Sequence, residues 1–359
     1  MTSRERVYRA LTFQYPDRAP RELWALPGIT MFRKAELDAV LARFPSDFTA
    51  PEVRYGVSKR ARGTEALVGT YVDAWGCPFT VAEPGVIGEV KDPPLADLTA
   101  LKHFRPPDEI LDEADFSRVN ASCAATDKFV KAGTTIRPFE RMQFLRGTEN
   151  LMMDLAWGIR EVYQLREMVH DFFLRELSLW LKTDVDGISF MDDWGSQERL
   201  LISPSLWREF FKPLYADYCQ LIHGAGKFVF FHSDGYILEI IPDLIEIGVD
   251  ALNSQLFCMN IEEIGQRFRG QITFWGEIDR QKILPFGTVE DVRKAVWRVR
   301  RALDDGRGGV IAECEWGIGV PRENIEAVFE AWLEPLDSNS DRLTDPSSRL
   351  MDDFALTKI

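Results

Sequence analysis

Five short apolar runs in this sequence stop at residues of the kinds that do chemistry. GISFM (187–191) runs into Asp192-Asp193-Trp194-Gly195, KFVFF into His232-Ser233-Asp234-Gly235, and VDAL into Asn253. QITFW runs into Gly276-Glu277-Ile278-Asp279, and GVIA into Glu313-Cys314-Glu315. In a barrel of parallel strands the C-terminal ends ring one mouth, so these carboxylates, one imidazole and one thiol would face a single cavity.

His232-x-Asp234 puts two ligand-type side chains on one face of an extended segment, a geometry that suits a metal ion. Cys314 from a neighbouring strand end would complete three protein ligands and leave a coordination position open for water or substrate. The competing reading is structural: Asp234 orients His232, or caps the helix that follows. Asp192 and Asp193 alternate across their strand, so at most one points inward while the other meets backbone amides of the loop. The inward one is a general acid or base candidate, because clustered carboxylates shift one another's pKa. Glu277 joins them as a proton-handling or substrate-orienting candidate, although G-x-I-D can be only a turn. Trp24, Trp75, Trp157, Trp194, Trp275 and Trp316 sit near predicted strand ends or loops; packing is their default role, and any that line the mouth would favour a planar ligand. His103, His170 and His223 have no nearby partners and carry no role.

The elements that must position these residues follow from periodicity. Residues 3–12 form an amphipathic helix behind Thr2 or Ser3, ending before Tyr15-Pro16. The text to about residue 125 is irregular and rich in Pro and Gly, with alternating runs at Leu67–Asp73 and Val86–Val90 that predict hairpins in an N-terminal elaboration (1–125). From 126 to 336 apolar runs alternate with long helical patterns: 129–136, 187–191, 227–232, 249–254, 271–275 and 309–314 are predicted strands of βα units. Ser203-Pro204, Thr288 and Pro321 open helices. Six strands plus weaker ones in the N-terminal half would close a barrel; an open doubly wound sheet gives the same alternation, though no G-x-G-x-x-G follows a strand. The segment 337–359 reads as a polar tail.

Composition bounds the function. Hydrophobic residues are 45% and charged residues 28% of the 359, ordinary for a globular chain. A net charge of −14 repels polyanions, so nucleic acid and anionic membrane are excluded as partners. No window spans a bilayer and the N-terminus has no apolar targeting core, which predicts a cytosolic protein. The five cysteines are scattered with no C-x-x-C, so no disulfide framework is expected, and all but Cys314 read as small buried hydrophobes.

The stretch MDDWGSQERLLISPSLWREFFKPLYADYCQLIHGAGKFVFFHSDGYILEIIPDLIEIGVDALN resembles the uroporphyrinogen decarboxylase superfamily. TFWGEIDRQKILPFGTVEDV, PRENIEAVFEAW, SRERVYRALTFQYPDRAPRELW and YVDAWGCPF extend the likeness over nearly the whole chain. The resemblance implies a (β/α)8 TIM barrel, which decides between the two architectures. The superfamily holds metal-free decarboxylases of a carboxylated tetrapyrrole and zinc-dependent methyltransferases that pass methyl groups to or from corrinoids or thiols. Decarboxylases carry an arginine-rich motif after the first strand for the substrate's carboxylates; here that region reads ELWALPGITMF, while Asp73 matches the decarboxylase aspartate. The methyltransferases hold zinc through H-x-C and a distant cysteine; this chain has His232 and Cys314 but Asp234 in the middle, a harder site.

These readings converge on a metal-dependent methyltransferase or demethylase acting on a small methylated substrate. His232, Asp234 and Cys314 would bind one zinc, and Asp192 or Asp193 and Glu277 would act on protons or substrate, while in the decarboxylase alternative Asp73 would organise the cationic centre. Trp24, Trp194, Asn253 and Trp316 would shape the pocket, with a corrinoid, borne by a partner protein, as acceptor. The alternatives are a metal-free decarboxylase and a corrinoid- or tetrapyrrole-binding protein without catalysis. The family barrel also suggests a homodimer.

Overall fold

A computed structural model of the chain describes residues 1–335; the polar tail expected at 337–359 lies outside the described residues. Eight parallel strands make one sheet: β1 (Arg21–Ala25), β2 (Phe48–Thr49), β3 (Phe129–Gly133), β4 (Gly187–Met191), β5 (Phe228–Ser233), β6 (Ala251–Ser254), β7 (Thr273–Trp275) and β8 (Val310–Trp316). Their order is β1-β8-β7-β6-β5-β4-β3-β2, which is chain order wrapped around once, with a helix or helices after most strands. This is the (β/α)8 barrel that the sequence and its resemblance predicted. Its first two strands come from the irregular N-terminal text, where the charged Arg21 and Glu22 of β1 and the two-residue length of β2 hide them.

Strand parity sorts every side chain. Phe48, Phe129, Phe230, Ala251, Trp275 and Ile311 pack together inside the barrel, while their neighbours Val130, Phe231, Leu252, Phe274, Val310 and Ala312 join the larger core under the helices. Gly187 keeps the lumen open to these rings: a Cβ there would lie 2.8 Å from the Phe230 ring and 3.1 Å from Phe129. The first helix, Ser3–Leu11, is capped by Thr2, whose hydroxyl accepts the Glu5 N–H, and its Val7 and Leu11 plug the N-terminal end of the lumen.

The β1–β2 seam has no strand ladder and is closed by Asp47. Its amide donates to the Arg21 carbonyl (2.9 Å), and its carboxylate accepts the Arg21 amide (2.7 Å). Between β2 and β3 a three-stranded antiparallel meander (69–72, 78–81, 89–90) realises the predicted hairpins. Capping by Ser203 of Pro204–Phe210 and a full capping box at Thr288 and Asp291 on Val289–Leu303 match the sequence signals.

Candidate metal centre at the barrel mouth

Three side chains converge at the C-terminal ends of β4 and β5. Ligand atoms of Asp193, His232 and Asp234 lie within 4.8 Å of one another. His232 Nε2 is 3.5 Å from Asp193 Oδ1 and 3.4 Å from Asp234 Oδ1. What draws the two aspartates together is a contact between glycines: a Cβ on Gly195 would fall 2.3 Å from the Tyr236 nitrogen, and one on Gly235 2.2 Å from the Gly195 carbonyl oxygen. Only glycine permits this approach. The Gly195 amide then donates to the Asp234 carbonyl and the Asp234 amide to Asp193 Oδ1, both at 3.0 Å.

The other imidazole nitrogen is fixed from below. Asn253 Nδ2 is committed as a donor to the Trp275 carbonyl and to Glu313 Oε2 (3.1 Å), so its Oδ1, 2.6 Å from His232 Nδ1, must accept. Nδ1 therefore carries hydrogen and Nε2 faces the two aspartates, the tautomer a metal ligand needs. Burial works against protonating His232, but the hydrogen bond to Asp193 and the charges of Asp234, Asp193 and Glu277 outweigh it and raise its pKa to about 9.

Around this triad stands a ring of further charge. Arg280 bonds Asp234 Oδ2, donates to Glu315 Oε2 at 2.9 Å and lies 3.6 Å from Glu277 Oε1. Burial raises Glu277 to about 7 against the pull of Arg280, and burial with the Asp193 charge raises Glu140 to about 7. Asp234 Oδ1, Glu277 Oε1, Glu140 Oε2 and Glu313 Oε1 are buried carboxylate oxygens without a hydrogen-bond partner. Such oxygens are costly unless something positive faces them, and Arg280 lies 3.6 Å from Glu277 Oε1, Arg137 3.8 Å from Glu140 Oε2 and the His232 ring 3.4 Å from Asp234 Oδ1. With His232 neutral, one nitrogen and two carboxylates form a donor set that fits a bound cation in place of its proton. Deeper in the lumen Glu22 and Lys131 pair at 2.8 Å, with the ammonium 3.7 Å from the centroid of the Trp275 ring.

Several sequence-predicted residues stand elsewhere. Cys314 is fully buried in the outer core, because Glu313 and Glu315 take the inward positions of β8 and parity turns the thiol toward the helices. Asp193 takes the third place in the triad instead. Asp192 also points outward: its carboxylate accepts the Phe139 and Glu140 amides, each at 2.8 Å, and the Tyr215 hydroxyl at 2.6 Å. It anchors the start of the Pro138–Arg146 helix, a favourable place for negative charge, and does not act in the mouth.

Trp194 packs on Phe139 at 4.1 Å in the outer layer, and Trp316 donates to the Val320 carbonyl there, so neither shapes the pocket. Asp73 is tied to Arg141 and to the Cys77 amide on the meander. Asn253 touches His232 instead of lining a binding surface, and Asp279 forms the turn its sequence allowed, accepting the Gln281 and Lys282 amides. Trp24 does reach the mouth, with its ring 5.3 Å from that of His232. Glu140 and Arg280 were missed; Arg280 follows the strand-end carboxylates directly in GEIDR, while Glu140 sits on a helix past its strand and gives no signal. The core place of Cys314 predicts that Cys314→Ala leaves metal content unchanged and costs about 1–2 kcal/mol of stability, measurable by denaturant titration.

A parallel eight-stranded barrel with a histidine–carboxylate centre at its C-terminal mouth defines a TIM-barrel enzyme-type scaffold. The uroporphyrinogen decarboxylase (URO-D) family pattern matches residues 68–334, and the chain belongs to that family. No curated protein matches it. Among solved structures it is similar to a methyltransferase from Methanosarcina mazei, 15% identical with a TM-score of 0.67, covering 92% of this chain and 98% of that one. A glycosylated endo-beta-1,4-xylanase from Gloeophyllum trabeum aligns at 11% identity and a TM-score of 0.44, over 91% of this chain and 98% of the other. At such identities the first likeness shows the fold alone, and the second carries no argument. Among the described residues no helix is long and apolar enough to cross a membrane.

Proposed function

We propose that the chain is a divalent-metal-dependent methyl-transfer enzyme that moves a methyl group between a small methylated substrate and a corrinoid or similar acceptor. The observation that carries this reading is the convergence of Asp193, His232 and Asp234, with Asp234 Oδ1 buried and unpartnered. The family, and the methyltransferase name of the M. mazei structure, support it.

A divalent ion there supplies Lewis acidity, lowering the pKa of a bound thiol or water or polarising the group that gives up the methyl. The chain does the rest. Asn253 orients His232, Arg280 offsets the charge of Asp234 and Glu315, and Trp24 walls one side. Glu277, with a pKa near 7, is able to take or return a proton at neutral pH. One imidazole and two carboxylates make a harder donor set than thiolates, so manganese, cobalt or iron compete with zinc on this site.

Elemental mass spectrometry on protein purified without added metal tests the reading. About one divalent ion per chain is expected; none, even after incubation with zinc, would sink it and turn the search to carboxylated substrates.

The affinity for metal should depend on pH in a stated direction. Metal displaces the proton from His232, so affinity climbs by up to about tenfold per pH unit as pH rises toward 9 and then levels off. In the metal-free protein the same groups govern stability. His232 rises from 6.5 to about 9, so its contribution is full below 6.5 and lost as pH climbs through 9. Glu277 and Glu140, raised from 4.5 to about 7, act in the same sense at lower pH. The melting temperature of the metal-free protein should therefore fall between pH 6 and 9, and bound metal should flatten that fall; equal slopes with and without metal would contradict it.

A further inference from the structure

We propose that the methylated substrate is an organic monocation, an ammonium or sulfonium, whose positive centre rests against Glu277 beside the triad. The proposal builds on the metal reading above and adds the charge of the substrate to it. Asp193, Asp234, Glu140, Glu277, Glu313 and Glu315 crowd the mouth, with the guanidinium groups of Arg137 and Arg280 among them. Glu277 is the one of these carboxylates that borders a cavity. It is 2% exposed, it lines a cavity of about 80 Å³ with Gln197, Gln255, Cys258 and Arg280, and its Oε1 accepts no hydrogen bond. Its nearest cation, Arg280 at 3.6 Å, is already bonded to Asp234 and Glu315. Asp279 and Lys282 also line this cavity.

A second metal ion is the competing occupant, and the geometry argues against it. Among the described residues only Asp193, His232 and Asp234 bring ligand atoms of His, Cys, Asp or Glu within 4.8 Å of one another, so Glu277 belongs to no chelating group. A carboxylate without chelating partners suits a bulky single charge.

The chemistry agrees with the charge. When an onium gives up methyl, the C–N or C–S bond breaks with its electron pair left on nitrogen or sulfur. The methyl carbon bonds to the acceptor's lone pair, and the amine or sulfide leaves neutral. A sulfide has then lost its attraction to Glu277, whereas an amine takes up a proton and regains a positive charge.

Calorimetry on full-length protein of measured metal content tests this with choline and its neutral isostere 3,3-dimethylbutan-1-ol. Choline is expected to bind at least tenfold more tightly than the alcohol, and to lose about tenfold in Glu277→Gln. Tetramethylammonium and trimethylsulfonium as separate ligands decide which onium is preferred. Equal binding of choline and the alcohol, no binding of either, unchanged binding in a folded Glu277→Gln, or displacement of choline by a second equivalent of zinc would each overturn the inference. Metal content, read on the same samples, separates its failure from failure of the metal reading: a metal-loaded protein indifferent to choline loses only the onium, whereas choline binding to a protein that takes no metal loses only the metal.

Discussion

Replacing His232 with alanine is expected to abolish divalent-metal binding, and replacing Asn253 with alanine to weaken it by about 10–100-fold although Asn253 touches no metal. The two effects share one cause. A metal bound between Asp193 and Asp234 needs the lone pair of His232 Nε2, and that lone pair exists only while hydrogen sits on Nδ1. Asn253 enforces this because its own amide cannot turn over: its nitrogen is held by the Trp275 carbonyl and by Glu313. With alanine at 253 the ring is free to take the other tautomer and to rotate, and the Trp275 carbonyl and Glu313 Oε2 lose a donor, at about 1–3 kcal/mol of stability.

A purely structural role would show the stability loss without a change of tautomer. Nitrogen-15 chemical shifts of His232 in the metal-free protein, above pH 9 where the ring is neutral, report this directly. Wild type should show hydrogen on Nδ1 and Asn253→Ala a mixture. Asn253→Asp keeps an acceptor for Nδ1–H beside Glu313, whose carboxyl burial pushes well above its ordinary range, so that it is able to donate to the new aspartate; this variant should recover the tautomer and most of the affinity. Wild-type affinity in Asn253→Ala would remove Asn253 from the site.

What the sequence revealed of this centre depended on distance along the chain. His232 and Asp234 are two residues apart on one strand, so strand geometry alone put them on one face. The third ligand needed the parity of a different strand. Asp192 and Asp193 were correctly set on opposite faces, but which one faced inward turned on the register of β4 against β5, which pairs Met191 with His232. Cys314 failed for the same reason. In Glu313-Cys314-Glu315 either the thiol or the two carboxylates face the lumen, and the sequence does not say which. The barrel itself was readable in its later strands because each is a clear apolar run. β1 and β2 were not, since β1 carries Arg21 and Glu22 and β2 has two residues. Their place is held by side-chain bonds that no periodicity encodes.

Those bonds make the second large effect. Asp47→Ala should lower stability by about 3 kcal/mol, roughly 4 °C in melting temperature for a chain of this size, with a loss focused on the β1–β2 seam. Asp47 is 1% exposed, and its carboxylate accepts from Ser3 Oγ (2.8 Å), Arg6 Nη1 (2.7 Å), Arg18 Nη1 (2.7 Å) and the Arg21 amide (2.7 Å). Burial alone would raise its pKa, but the Arg18 guanidinium and the Arg21 amide hold it below the usual carboxylate range. Its stabilising contribution is accordingly present above pH 3.8 and lost as pH falls through the lowered value. Removing the carboxylate strands these buried donors. The cost stays toward the low end for a buried ion pair because Arg6 keeps Asp17, at 2.8 Å from its Nη2. Since the same carboxylate stands in for the ladder that β1 and β2 lack, amide exchange should accelerate at Arg21 and in the Ser3–Leu11 helix before it does in β4 to β6. The effect should reach the mouth as well, because Trp24 lies on β1 and packs against His232 and Trp275. Uniform acceleration across all eight strands would mean that Asp47 supports the whole fold, and no local change would mean that the barrel closes without it.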